Sequence, residues 1–230
     1  MSYSRSIMPM LTPGEYEKKL RALFSADKAG AARRLAANFL KNYRGNFQAR
    51  YCYAVSLSEG TAGLSKAQVD RNRKRTVMLL KKLINERHRI TLEQSLGLEN
   101  EYYWFSNQPE KQYKLGRRML RRHGITRAHY SCGVGAAMMA LKEARRGNLT
   151  AVRVWFDRAQ ASWKQYHREF SERLGSVIFE AIAWGANGDF RMMEKKLRRC
   201  CVLAKLPARN HSILWARREV RLALTPIPRA

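Results

Sequence analysis

Residues 130–206 read YSCGVGAAMMALKEARRGNLTAVRVWFDRAQASWKQYHREFSERLGSVIFEAIAWGANGDFRMMEKKLRRCCVLAKL. They are one helix-turn-helix unit written twice. In the first copy an Ala-rich helix over 134–145 meets Gly147-Asn148-Leu149, and the next helix carries Val152, Phe156, Ala159 and Trp163. In the second, a helix over 177–186 meets Gly188-Asp189-Phe190, and its successor carries Met193, Leu197, Cys200 and Ala204. A shift of 41 residues superposes the two junctions and these apolar positions. Each junction pairs a helix-ending Gly with an Asn or Asp that caps the following helix. Helix pairs too small to bury their own apolar faces stack on their neighbours. Gly135, Ala136, Ala137, Ala140 and Ala144 allow a close helix–helix approach, and Phe156 and Trp163 fill the groove.

Upstream, Thr12-Pro13-Gly14-Glu15 is a capping box with Pro at the first helical position. The helix it opens carries Tyr16, Leu20, Leu23 and Phe24 at helical spacing. Asp27 is expected to cap a second helix with Ala31, Leu35 and Phe39 on one face, and Gly45-Asn46-Phe47 begins a third with Tyr51, Cys52 and Val55 inward. Residues 58–65 read as a loop and 65–89 as a long helix. Residues 91–98 read as a short helix or a loop. Pro109 then opens a helix through Tyr113, Leu115, Met119 and Leu120 that Gly124 ends.

After the repeated unit, Pro207 precedes a last helix with Ile213, Trp215, Val220, Leu222 and Leu224; Pro226 and Pro228 mark a tail. No alternating strand pattern of convincing length appears. The expectation is an all-α chain of about nine to ten helices in stacked antiparallel hairpins. It assigns 1–11 to an extension, 12–224 to a single repeat domain with a sub-boundary allowed near 90–110, and 225–230 to the tail.

The hairpins resemble the tetratricopeptide-like superfamily of helical repeats. The similar features are Ala at the close-packing site of the first helix, Gly-Asn-Leu or Gly-Asp-Phe at the turn, and the small position Ala159/Cys200. The usual Trp-Leu-Gly-Tyr run is missing from the first helix, and the offset exceeds the common ~34 residues. The match covers about a third of the chain, or about half if 27–57 is a degenerate copy. The resemblance implies a curved stack presenting a concave face to a protein or nucleic-acid ligand, and it carries fold rather than activity.

Composition supplies the other strong signal. Lys and Arg number 45 against 18 Asp and Glu, a net charge of +27. Such a balance generates a field that recruits polyanions, with nucleic acid first among them and an acidic protein surface next. No stretch approaches the ~18 apolar residues of a membrane span, and residues 1–10 show no secretory h-region, so no membrane partner is expected. Cys52, Cys132, Cys200 and Cys201 form no C-x-x-C pair. They read as core thiols in a reducing, cytoplasmic setting, with no metal site and no cofactor.

On the 65–89 helix, at about 100° per residue, Val69, Val77, Leu80, Leu83 and Ile84 gather on one side; Arg71, Lys74, Arg75, Lys81, Lys82 and Arg89 gather opposite. Such a face can be plain solvated surface. Its acidic i,i+4 partners are nearly absent, however, and like charges so spaced destabilise a helix by a few tenths of a kcal/mol per pair. A face that tolerates this repulsion is suited to a polyanion. The 109–123 helix extends the basic surface through Lys114, Arg117, Arg118, Arg121 and Arg122. Beside it, Tyr102, Tyr103 and Trp104 are candidate stacking rings for single-stranded nucleic acid. With Phe105 they make four consecutive aromatics, which cannot share one helical face, so at least two of the four belong to the core.

Catalytic motifs fail. Gly133-Val134-Gly135 lacks the third Gly of a dinucleotide loop and follows no strand, so close packing is the better reading. There is no P-loop, no H-E-x-x-H and no nucleophile elbow. Three of the histidines (His88, His123, His167) adjoin Arg, His129 lies two residues after Arg127 and His211 follows Arg209-Asn210, a setting that suits phosphate contact better than metal ligation. Glu143 and Glu180 read as salt-bridge residues. The expected function is non-enzymatic nucleic-acid binding, RNA ahead of DNA; the alternative is an adaptor whose repeat groove docks an acidic partner protein.

Overall fold

The computed structural model describes residues 11–25, 28–58, 64–86, 90–172, 174–204 and 211–225. Among these there is no strand. Eleven α-helices run in order: α1 Pro13–Ser25, α2 Ala29–Asn42, α3 Phe47–Ser58, α4 Lys66–Asn85, α5 Leu92–Phe105, α6 Pro109–His123, α7 His129–Arg145, α8 Leu149–Glu169, α9 Leu174–Ala186, α10 Phe190–Ala204 and α11 His211–Leu224. A 3-10 turn, Thr126–Ala128, precedes α7. The count exceeds nine to ten because 92–105, expected as a short helix or loop followed by an aromatic run, is one continuous helix. Its start is a capping box: Gln94 N–H donates to Thr91 Oγ1 at 3.2 Å and Thr91 N–H to Gln94 Oε1 at 3.0 Å. The chain divides into two compact units, Met1–Leu98 and Glu99–Ala230.

In the first unit α1 to α4 pack as successive neighbours. The Thr12–Glu15 capping box forms, with Thr12 N–H donating to Glu15 at 2.7 Å. Lys28 precedes α2 without a side-chain cap bond, and Asp27 lies outside the described residues. The buried stripe of α2 is Ala32, Ala36 and Phe39. Leu35, expected inward, rides its half-buried edge. Tyr16 stacks on Phe39 with ring centroids 4.6 Å apart, and its hydroxyl accepts from Asn42 at 2.9 Å. On α3, Ala49, Ala54 and Ser56 are buried, while Tyr51, Cys52 and Val55 are half-buried. Thr76 of α4 is buried and donates to the Ala54 carbonyl at 2.8 Å. Helix α4 opens on a Ser65–Gln68 capping box and ends at Asn85, short of the expected Arg89, with Glu86 as its C-cap.

The second unit is built around α7, which packs against α6, α8, α9 and α11. A strictly linear stack, in which each hairpin touches only the next, would leave α7 and α11 apart. The expected junctions recur atom for atom. Gly147 and Gly188 sit at φ +71° and +86°. Asn148 accepts from Ala151 N–H at 3.1 Å and Asp189 from Met192 N–H at 2.8 Å. The backbone bonds Asn148 N–H to Glu143 O and Asp189 N–H to Trp184 O repeat under the same shift.

The central helix can take four neighbours because it is nearly smooth. Val134, Ala136, Ala137, Ala140 and Leu141 are all buried. A Cβ on Gly133 would lie 2.5 Å from the Trp163 indole, which is fully buried on α8. A Cβ on Gly135 would lie 2.7 Å from the Pro109 carbonyl and the Tyr113 nitrogen of α6. The Gly-Val-Gly run is therefore a packing device on both sides of α7.

Backbone cannot yield as a flexible side chain does. Gly135→Ala should destabilise the protein by about 1–3 kcal/mol through forced separation of α6 and α7. Gly97→Ala in α5, where a Cβ meets nothing within 4 Å, should stabilise by roughly 0.5–1 kcal/mol. Urea titrations of both variants check the contrast; equal midpoints would refute it.

Candidate nucleic-acid interface

The acidic side chains of the described residues are mostly engaged by cations of the same chain. Glu86 takes a bidentate pair of bonds from Arg50 at 2.6 and 3.1 Å, and Glu194 does so from Arg217 at 2.8 and 2.7 Å. Glu99 receives Arg118 at 2.7 Å, Glu180 receives Lys196 at 2.6 Å, Glu172 receives Arg199 at 3.0 Å, and Glu219 pairs with Arg145. Arg217 holds the Glu194 carboxyl below the usual carboxylate range by hydrogen bonding, against the opposing effect of burial. Asp189 is occupied as a helix cap. Many of the remaining cations face solvent.

On α4 those cations are Arg71, Lys74, Arg75, Lys81 and Lys82, all exposed. Among the described residues none of the five has a carboxylate partner; Arg75 lies 5.7 Å over the Tyr53 ring. The opposite side holds Thr76, Leu80 and Leu83, which are buried. The stripe follows from about 3.6 residues per turn and from the buried Thr76–Ala54 bond, which fixes the helix's rotation. Met78 lies within the stripe at 63% exposure. Arg89 lies outside the described residues.

On α6, in the second unit, Gln112, Leu115, Gly116 and Met119 face inward. Lys114, Arg117, Arg121 and Arg122 are exposed. Lys114 pairs with Glu110 one turn away at 2.6 Å, an exposed contact worth a fraction of a kcal/mol. Arg118 is half-buried on Glu99. Its role is within the fold. On α10, Lys196 and Arg199 are engaged by Glu180 and Glu172, while Lys195 and Arg198 are exposed.

The aromatic run separates in the same way. Phe105 is buried, and Trp104 meets Phe179 and Trp215 edge-on at 5.3 and 6.4 Å. Tyr102 and Tyr103 stay half-buried, with their centroids 5.7 Å apart. Another aromatic group lies at the surface of the second unit. Tyr113 of α6 and Trp155 of α8 meet at 5.2 Å with perpendicular rings, and exposed Arg158 lies over both. The local signal for it was Trp155 and Arg158 one helical turn apart; the tyrosine was legible only as an apolar residue of α6.

The histidines do not behave as one set. His167 is stacked on Trp163 at 6.3 Å and faces Glu180 at 3.9 Å, an interior position closed to phosphate. His129 is half-buried, and desolvation lowers its pKa. His123 is exposed at the end of α6, while His88 lies outside the described residues. Among the described residues no group of three His, Cys, Asp or Glu could hold a metal ion. No helix among them is long and apolar enough to cross a membrane. Comparison of the chain with protein-family models, with curated proteins and with solved structures finds no match.

Burial pushes the Cys132 and Cys200 thiols up to about 12 and that of Cys52 to about 11. At about pH 8 the native protein should therefore label at Cys132 and Cys200 at least about tenfold more slowly than the urea-unfolded chain. Peptide mapping after a timed alkylation reads this; fast native labelling at either position would contradict the assigned burial.

Proposed function

We propose that this protein is a non-enzymatic nucleic-acid-binding protein that grips phosphates through basic helix faces. The observation that carries the reading is the α4 stripe: five exposed cations, none with a carboxylate partner among the described residues, in a chain that pairs most of its acids. Keeping like charges on one helical face costs stability, and a polyanion recovers that cost on binding. The α6 cations Arg117, Arg121 and Arg122 add a second contact surface on the other unit. RNA is favoured over duplex DNA, since half-exposed rings beside free arginines suit unpaired bases. The α7–α8 and α9–α10 hairpins act in this reading as a tetratricopeptide-like framework, and the setting is cytoplasmic.

A second reading is an adaptor that docks an acidic partner protein. It draws on exposed Val202 and Leu203 at the end of α10 and exposed Leu214 and Leu222 on α11. Purification after nuclease treatment separates the two: a stoichiometric protein partner retained without nucleic acid favours the adaptor.

Binding to single-stranded RNA should weaken linearly in log[salt], with a slope of about −0.7 per phosphate neutralised. The triple variant R71E/K74E/R75E should lose most of its affinity and flatten that slope by about 2. Its thermal midpoint should change little, because all three side chains are exposed and only Arg75 gives up a contact, the one over the Tyr53 ring. Filter binding across a salt series measures both quantities; an unchanged slope would remove α4 from the interface.

A further inference from the structure

We propose that the notch formed by Tyr113, Trp155 and Arg158 is a base-stacking site for single-stranded nucleic acid. The proposal rests on the phosphate-binding reading above and gives it a second, chemically different contact. The two rings stand at 90° with centroids 5.2 Å apart, and both are half-exposed. Two planes at right angles leave a corner that a flat group can enter against one face and abut with its edge against the other. Arg158 occupies that corner now, its guanidinium carbon 4.5 Å from the Trp155 centroid and 5.8 Å from that of Tyr113.

A guanidinium so placed is a planar, charged group on an indole face. A nucleobase takes the same geometry, with Arg158 either sandwiching it or turning to the adjoining phosphate. The corner suits an anionic ligand, because Arg158 lines it and the acids that adjoin the notch residues in sequence are engaged: Asp157 lies 3.6 Å from Arg153, and Glu110 lies 2.6 Å from Lys114. Arg117, one turn along α6 from Tyr113, is exposed and has no carboxylate partner among the described residues. It supplies the backbone contact. The other strong aromatic candidate, Trp104, is held between Phe179 and Trp215.

The fold explains why the notch exists. Tyr113 and Trp155 lie on helices that flank α7, and Gly135 lets the α6 backbone approach at the position of Tyr113 itself. Trp155 packs its inner side on both hydrophobic clusters of the second unit, which sets the ring's orientation. A rigid ring ordered before binding loses little entropy when a base stacks on it. Paired bases in a duplex present no free face, so the notch discriminates between strand states, as phosphate contacts alone do not.

Fluorescence anisotropy with a labelled oligo-uridylate and a blunt RNA duplex of equal length tests the site. Trp155→Leu keeps an apolar side chain on the cores but removes the ring face. It should lose about tenfold or more in affinity for the single strand, while duplex affinity stays within about twofold. Trp155→Phe should retain most of the single-strand binding. If Trp155→Leu fails to fold by circular dichroism, Tyr113→Leu tests the same notch from α6, with the same expected selectivity. Wild-type binding that survives these substitutions, or that falls equally on strand and duplex, overturns the stacking site and leaves phosphate binding standing. A wild-type chain that retains neither probe at low salt overturns both.

Discussion

The close approach of other helices to α7 is the constraint on which the second unit depends. A helix flanked by four others must keep its own side chains short wherever a partner backbone or a large ring comes near. Gly133 yields its place to the Trp163 indole, and Gly135 yields to the α6 backbone. Between and beyond them, buried alanines keep the surface low. Dispersion contacts accumulate at such short range, and an added methyl group must push a whole helix away. The same approach brings Tyr113 to Trp155, so the packing device in the core and the candidate stacking notch on the surface have one origin.

Electrostatics is organised by a comparable economy. With few acids available, the chain places most of them where a cation from another helix or the adjoining turn can reach. Arg50–Glu86 ties α3 to the end of α4, and Arg217–Glu194 ties α11 to α10. The partly exposed pairs contribute modestly to stability. Their larger consequence is subtraction. Once most of the acids are engaged, Arg71, Lys74, Arg75, Lys81 and Lys82 on α4 and Arg117, Arg121 and Arg122 on α6 have no carboxylate partner among the described residues, and the net charge becomes a property of particular faces.

Much of the architecture was readable from short-range rules. The capping boxes at Thr12 and Ser65, the Gly-Asn and Gly-Asp junctions and the inward positions Val152, Phe156 and Ala159 all depend on residues within a turn or two of one another. Where reading was poorer, a tertiary cause can be named. Helix α5, expected as a short helix or loop followed by an aromatic run, is continuous because the Thr91–Gln94 box starts it and the helix sends Phe105 and Trp104 into the fold while leaving Tyr102 and Tyr103 half-buried. On α2 the stripe moved by one residue, because its small alanines and Phe39 fit beneath Tyr16 better than Leu35 does.

By itself the sequence determined the helices, their caps, the repeated hairpin and the sign of the charge. These follow from composition and from contacts between residues at most four or five apart, which any chain of this sequence makes locally. Only the tertiary structure decided which cations stay free and which rings stay open to a ligand. Arg118 and Arg117 are adjacent in sequence, yet one lies on Glu99 and the other faces solvent. Trp104 and Trp155 are equally good stacking residues by type, yet one is held between two rings and the other borders an arginine-filled corner. The difference lies in which distant side chains meet them. That is set by how closely helices can approach α7, a quantity no local pattern encodes.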